Sequence, residues 1–223
     1  MGREFEPINA GLRARRDSLD SRLIDGMMAG YGSVDRLVAD GVDIFAVGNS
    51  KHLLELNRLV LCGRPDEGDG GYAAHLAATE RRFYEERHGG IADLVEWSQI
   101  HAGDPVWTRA SGVYTRILSK PQLFIEGNHR TGALVMSYVL LRAGEPPFVL
   151  SVENAAPYFD LSTAIGTTDR HAAAALFTMP RLRRQLTALL LQHSDRRYLL
   201  DESRHGQCGG AGPAGSLADG ARS

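Results

Sequence analysis

The sequence predicts a mainly α-helical protein. Apolar residues recur at three- and four-residue spacings in one segment after another. Glycine and proline clusters punctuate the ends of those segments, and no alternating series of strands and helices supports a parallel sheet. At 223 residues and 43% hydrophobic content, the chain suits one globular domain of usual size with small appendages.

The first expected helix covers residues 8–29, where Leu12, Leu19, Leu23, Ile24 and Met27 share a face among Arg and Asp. Gly30 and Gly32 are expected to break it, and Ser33 to cap a short helix that ends at Gly41. Residues 1–44 thus form an N-terminal helical extension to a main domain over 45–200. The segment 49–61 opens at Asn49 or Ser50 and is apolar nearly all round, through Leu53, Leu54, Leu56, Leu59, Val60 and Leu61. That pattern predicts a helix central to the core. Gly63-Arg64-Pro65 ends it, and residues 66–71 follow as a flexible acidic loop. Amphipathic helices are expected over 72–87 and 91–101, separated by Gly89-Gly90. Alternation in Val113-Tyr114-Thr115-Arg116-Ile117 predicts a short strand or β-hairpin. A helix over 131–142 stops at Gly144-Glu145-Pro146-Pro147, and an extended piece over 148–150 leads to helices over 152–161 and 170–193, the last kinked at Pro180. From residue 201 the chain is rich in Gly, Ser and Ala and reads as a disordered tail.

The charge balance is near neutral, at -2 from 25 basic and 27 acidic residues, so no global field attracts nucleic acid or an anionic membrane. The basic cluster Arg181, Arg183, Arg184 reads as a solvated helix face. The first residues lack the apolar core of a secretory signal, and the apolar run 133–141 is far short of the roughly 18 residues that span a bilayer. A cytoplasmic protein is expected. Cys62 lies in an apolar run and reads as a buried thiol, and Cys208 lies in the tail, so no disulfide framework is expected. His52, His75, His88, His101, His171, His193 and His205 show no metal-ligand spacing, and neither a Gly-x-Ser-x-Gly elbow nor a Walker sequence occurs.

One stretch carries chemistry: Phe124-Ile125-Glu126-Gly127-Asn128-His129-Arg130, directly before the helix over 131–142. A helix start leaves unpaired backbone N–H groups and a partial positive charge. Gly127 lets the backbone approach a ligand closely, Asn128 adds a side-chain donor, and Arg130 adds a forked cation suited to phosphate. These are the parts of a polyphosphate site. Glu126, just upstream, suits a Mg²⁺ ion that bridges the same phosphates.

In sequence, Gln122-Leu123-Phe124-Ile125-Glu126-Gly127-Asn128-His129-Arg130 resembles the Fic/Doc (fido) signature His-x-Phe-x-(Asp/Glu)-Gly-Asn-Gly-Arg, matching it in order at Phe124, Glu126, Gly127, Asn128 and Arg130. Leu53-Leu54-Glu55-Leu56-Asn57 resembles an early helix of that family, residues 111–120 fall where the family places a target-docking flap, and residues 143–149 resemble its exit from the motif helix. The resemblance covers roughly residues 45–165. It implies a fido-type helical bundle with a short β-hairpin flap, which uses ATP and Mg²⁺ to move AMP onto a Ser, Thr or Tyr hydroxyl of a protein. It also implies that Phe124 anchors the loop, Glu126 binds Mg²⁺, Gly127, Asn128 and the N–H of His129 form an anion hole, and Arg130 grips a terminal phosphate.

Three departures bear on the chemistry. Gln122 stands where the family has its general base, and glutamine accepts no proton at neutral pH. His129 replaces the second glycine, where the Doc kinases, which move a γ-phosphate, carry lysine; it reads as a phosphate ligand or as a displaced base. Ala133 replaces the second arginine, which removes the usual partner of an inhibitory glutamate and leaves Glu55 free to pair with Arg130. Three functions stand: a nucleotidyl or phosphoryl transferase with altered base chemistry, a pseudoenzyme that binds a nucleotide or a protein without turnover, or a transferase with a different donor such as another nucleotide or a phosphate-linked headgroup.

Overall fold

The computed structural model describes residues 21–63, 72–86 and 88–199. These contain α1 (Ser21–Ala39), α2 (Lys51–Cys62), α3 (Ala73–Glu85), α4 (Ile91–Ile100), α5 (Val106–Leu118), α6 (Asn128–Arg142), α7 (Val152–Thr167) and α8 (Ala175–Gln192), then a 3-10 turn at Arg196–Tyr198. Among the described residues there is no sheet, only one isolated parallel bridge between Lys120 and Asp169. The mainly α class follows. The acidic loop over 66–71 and the tail from 201 lie outside the described residues.

Helix α6 is the axis of the bundle. Leu134, Val135, Met136, Tyr138, Val139 and Leu140 are all buried, and α1, α2 and α5 pack around them. Helix α5 is shared between two layers: its other neighbours are α4, α7 and α8. Helix α2 lies in the core as its all-round apolarity predicts, through Leu53, Leu56, Leu59 and Val60. Full burial of one such side chain contributes about 1.5–3 kcal/mol. At the start of α7, Ser151 and Asn154 form a reciprocal cap, with the Ser151 N–H donating to Asn154 Oδ1 at 2.8 Å.

Two expectations are corrected. Gly30 and Gly32 do not break a helix, because α1 runs unbroken from Ser21 to Ala39. The reason is tertiary contact: a Cβ at Gly30 would lie 2.4 Å from Leu134 Cδ1, and one at Gly26 would lie 2.7 Å from the Leu59 carbonyl oxygen. These glycines let α1 approach α2 and α6 closely, and Val34 and Leu37 from α1 join the same core. The second correction concerns the β-hairpin flap. Residues 113–117 lie inside α5. Ala110, Val113, Tyr114, Ile117 and Leu118 are buried at helical spacing, and the hydroxyls of Ser111 and Thr115 donate to the carbonyls of Trp107 and Ser111, each one turn back, at 2.7 and 2.6 Å. A five-residue alternation is too short to outweigh that longer period.

The candidate phosphate-binding loop

Residues 119–127 connect α5 to α6 and carry the motif into the start of α6. The loop is anchored at both ends. Lys120 bridges to the segment after α7, its N–H donating to the Thr168 carbonyl at 2.9 Å and its carbonyl accepting from the Arg170 N–H at 3.0 Å. Phe124 is buried and stacks on Phe83 of α3, with centroids 5.7 Å apart and planes 13° from parallel. The neighbouring Arg82 donates through Nη2 to the Gln122 carbonyl at 2.8 Å.

Asn128, the first residue of α6, closes the loop on itself. Its Oδ1 accepts from the Phe124 N–H at 2.9 Å, and its Nδ2 donates to the Phe124 carbonyl at 2.8 Å and to Gln122 Oε1 at 3.3 Å. The buried Asn128 amide thus shapes the loop. Gln122 is tied down at both ends of its side chain, since its Nε2 donates to the Leu118 carbonyl at 3.1 Å.

Gly127 makes the turn that aims α6. Its φ of 77° and ψ of 6° lie in the left-handed region. A Cβ there would also lie 2.9 Å from Asn57 Nδ2. Asn57 is buried on α2, and its Nδ2 donates to the Glu126 carbonyl at 2.9 Å and to Thr131 Oγ1 at 3.0 Å, so it joins the residue before the turn to the first turn of α6. The Thr131 N–H donates back to the Gly127 carbonyl at 2.9 Å. The N–H groups that precede Thr131 belong to the helix's first turn, which has no acceptor one turn back.

The next side chains diverge around the helix. Arg130 turns toward α2, where its Nη1 donates to the Val60 carbonyl. Burial pulls the Arg130 guanidinium below its ordinary pKa, while Glu126 and Tyr72 push the other way; it stays a cation at any working pH. His129 turns toward α5 and α7, with Nδ1 3.5 Å from Tyr114 Oη. That hydroxyl is fully buried, 2.8 Å from Ser162 Oγ, and it accepts from Tyr158 Oη at 3.0 Å.

Glu126 points outward, its side chain 55% exposed, with His75 Nε2 3.9 Å from its carboxylate. Four buried polar atoms on α2 and α3 have no hydrogen-bond partner among the described residues: Asn57 Oδ1, His75 Nε2, Thr79 Oγ1 and Arg82 Nε. His75, Thr79 and Arg82 share one face of α3 by their four- and three-residue spacing. Among the described residues no three His, Cys, Asp or Glu side chains converge to hold a metal. Glu55 does not pair with Arg130: both of its carboxylate oxygens accept from Arg58, at 2.8 Å each. Cys62 is half-buried at the end of α2.

Gln122, Glu126, Gly127, Asn128, His129 and Arg130 therefore lie in one loop and the first turn of one helix, with Arg130 and His129 on different sides. The sequence pattern did not reveal Tyr114, Tyr158, Ser162, His75 or Arg82 as neighbours of that loop. They come from three other helices, α3, α5 and α7, and no local spacing signals their approach. Asn57 was at least visible within a stretch that resembles a family helix.

Fold and loop together define a mainly helical protein with a Gly-Asn turn at the mouth of a buried helix. Comparison with known proteins gives particular relatives. The chain is similar to Protein adenylyltransferase fic-1 of Caenorhabditis briggsae, 31% identical over 117 residues, which is 48% of this chain and 22% of that protein. It is 29% identical over the same length, with the same coverage, to Protein adenylyltransferase fic-1 of Caenorhabditis elegans. This similarity supports a Fic relationship, and the match spans about a fifth of the length of those relatives. No family model matches the chain.

Proposed function

We propose that this chain binds the polyphosphate of ATP at the loop 124–130 and passes AMP to a Ser, Thr or Tyr hydroxyl of a protein. One observation carries the reading: the left-handed Gly127 and the clasp of Asn128 on Phe124 fix the turn from which α6 begins, with Arg130 in its first turn. That arrangement suits a phosphate held by backbone dipoles and a guanidinium. The similarity to two proteins named as protein adenylyltransferases favours AMP over a γ-phosphate as the transferred group.

Among the described residues, only His75 Nε2, at 3.9 Å, stands beside the exposed Glu126 carboxylate and no three ligands converge there, so the set does not suit a resident metal ion. It suits a Mg²⁺ that arrives with the polyphosphate and keeps most of its water ligands. When bound, that ion neutralises phosphate charge. The chain's own residues position the donor: Arg130 takes phosphate oxygens, and the first turn of α6 takes the charge that develops on them. Gln122 supplies no base, and its amide is spent on the loop. Transfer here runs on positioning and charge stabilisation, at a rate about 10²–10⁴-fold below that of a site with a placed base.

The full chain, incubated with Mg²⁺, a native cell extract and ATP labelled at the α or the γ phosphate, tests this. Protein-bound label from the α position is expected. Label from γ alone would reassign the reaction to phosphoryl transfer, and label from neither position sinks the transferase. The engaged Gln122 amide favours a second reading, a pseudoenzyme that binds nucleotide without turnover. Calorimetry with ATP and Mg²⁺ separates the two, because the pseudoenzyme gives binding without transfer, and absence of binding at millimolar ATP sinks both.

A further inference from the structure

Helices α4 and α8 both pack on α5, and between them lies a cavity of about 460 Å³ that shares no residue with the loop 119–127 or the first turn of α6. One close contact helps to shape it. A Cβ at Gly112 of α5 would lie 2.0 Å from Trp97 Cη2, so the indole of α4 takes the room that a side chain there would need. Helix α8 contributes Ala175, Leu176, Met179 and Pro180 to the lining.

The charged part of that lining is unbalanced. Arg116, Arg170 and Arg183 stand against one carboxylate, Asp93. Asp93 is already shared: Arg116 Nη1 donates to both of its oxygens at 3.2 Å, and Arg170 Nη2 lies 3.2 Å from Oδ2. Arg170 is only 6% exposed; its Nη1 donates to the Arg116 and Ser119 carbonyls at 2.9 and 3.2 Å, and its buried Nε has no hydrogen-bond partner among the described residues. Burial and the neighbouring Arg116 pull its guanidinium below the ordinary pKa, while Asp93 and Asp169 push the other way. Counting Asp169, which lies outside the lining, three guanidinium groups still meet two carboxylates. Arg183 is the uncompensated one. Its neighbours Arg181 and Arg184 are exposed, as a solvated face requires, whereas Arg183 is half-buried and lines the cavity. Among the described residues its guanidinium has neither an ion pair nor a hydrogen bond.

We propose that this cavity binds a small molecule that carries one anionic group, a phosphate or a carboxylate, on an apolar body the size of a single ring. Arg183 supplies the planar fork of donors that such a group takes, and the surplus charge of Arg116 and Arg170 holds it in a partly dry site where a charge pair is little screened. Trp97, Leu176 and Met179 supply the apolar contact for the body. A volume of this order suits a small ligand, and a mainly apolar lining with a few placed charges is the usual make-up of such a site. The inference stands apart from the nucleotide reading, because no residue of the loop lines the cavity.

Trp97 and Trp107 are the two tryptophans of the chain, so ¹H–¹⁵N spectra of the full chain give one indole signal at the cavity, the one that survives in Trp107→Phe. Titration with phenyl phosphate or phenylacetate should move the Trp97 signal to saturation. Inorganic phosphate lacks the body and benzyl alcohol lacks the charge, and each should bind about fivefold or more weakly than the better of the two probes. Arg183→Gln should weaken that probe by about fivefold or more, and Met179→Glu, which sets a carboxylate on the same wall, should weaken it further. Both positions are half-buried on α8, and either variant that folds decides the point. Arg130→Gln should leave the affinity within about twofold. Three results overturn the proposal: no saturable movement with either probe, an affinity matched by inorganic phosphate or benzyl alcohol, or an affinity unchanged by the α8 substitutions. A loss in Arg130→Gln instead puts the probe on the loop and overturns it as well. The nucleotide reading is untouched by the first three.

Discussion

Asn128 and Phe124 clasp each other in both directions: the Phe124 N–H donates to Asn128 Oδ1 at 2.9 Å, and Asn128 Nδ2 donates to the Phe124 carbonyl at 2.8 Å. One side-chain amide therefore satisfies both backbone groups of a residue whose ring is locked in the core. Replacing Asn128 with Ala leaves both groups buried and unmet, and is expected to lower stability by about 2–4 kcal/mol. Asn128→Asp keeps the acceptor, loses the donor and sets a charge against the Phe124 carbonyl, so it should cost nearly as much. Urea unfolding of the three proteins measures this, and a loss under about 0.5 kcal/mol for Asn128→Ala means the clasp does not govern the loop.

Gly127→Ala meets two separate obstacles. A left-handed backbone costs a residue with a Cβ on the order of 1–3 kcal/mol, and the new methyl would sit 2.9 Å from Asn57 Nδ2. The second obstacle disappears in an Asn57→Ala background, so the two substitutions should be less than additive. A double-mutant cycle by denaturation reads the coupling, and strict additivity rules out the close approach as a cause.

Gln122→His places an imidazole where the related signature has its base. The clasp of Asn128 on Phe124 does not involve residue 122, so the turn should survive, and AMP transfer should rise by about 10²-fold or more. Protein-bound label from α-labelled ATP gives the measurement. Unchanged transfer alongside intact ATP binding would mean that more than the base is missing.

Alkaline stability should report the hydroxyl cluster. Burial raises the Tyr158 pKa in the folded chain, whereas an unfolded tyrosine ionises near about pH 10. The unfolded state then gives up its proton first, so the stabilisation is complete below about pH 10 and declines as pH rises toward the folded value. Tyr31 is shifted the same way by burial and adds to the slope. Tyr158→Phe should cost about 1 kcal/mol at neutral pH yet flatten the decline above pH 10, and an unaltered alkaline slope would remove Tyr158 as its source.

Much of this arrangement was legible from the chain alone, for reasons that also mark where legibility ends. Helix α2 was recognisable because apolarity on every side leaves no solvent face, and the motif because its parts are contiguous from Phe124 to Arg130. Gly30 was misjudged because its role is set by Leu134, more than a hundred residues away, and not by local propensity. Residues 113–117 were misjudged because a buried helix with Ser and Thr bonded one turn back alternates over a short window as a strand does. The hydroxyl cluster behind His129 escaped because Tyr114, Tyr158 and Ser162 meet only through the packing of α5 on α7.

Arg82 and Phe83 are consecutive in α3, yet they hold two different parts of the loop, one by its Gln122 carbonyl and the other by the Phe124 ring. Two grips from neighbouring residues of one helix leave the loop little freedom to move by itself. Any tilt of α3 would be delivered to the turn at Gly127 with little slack, so part of the loop's stiffness is borrowed from a helix that contributes no residue to the motif.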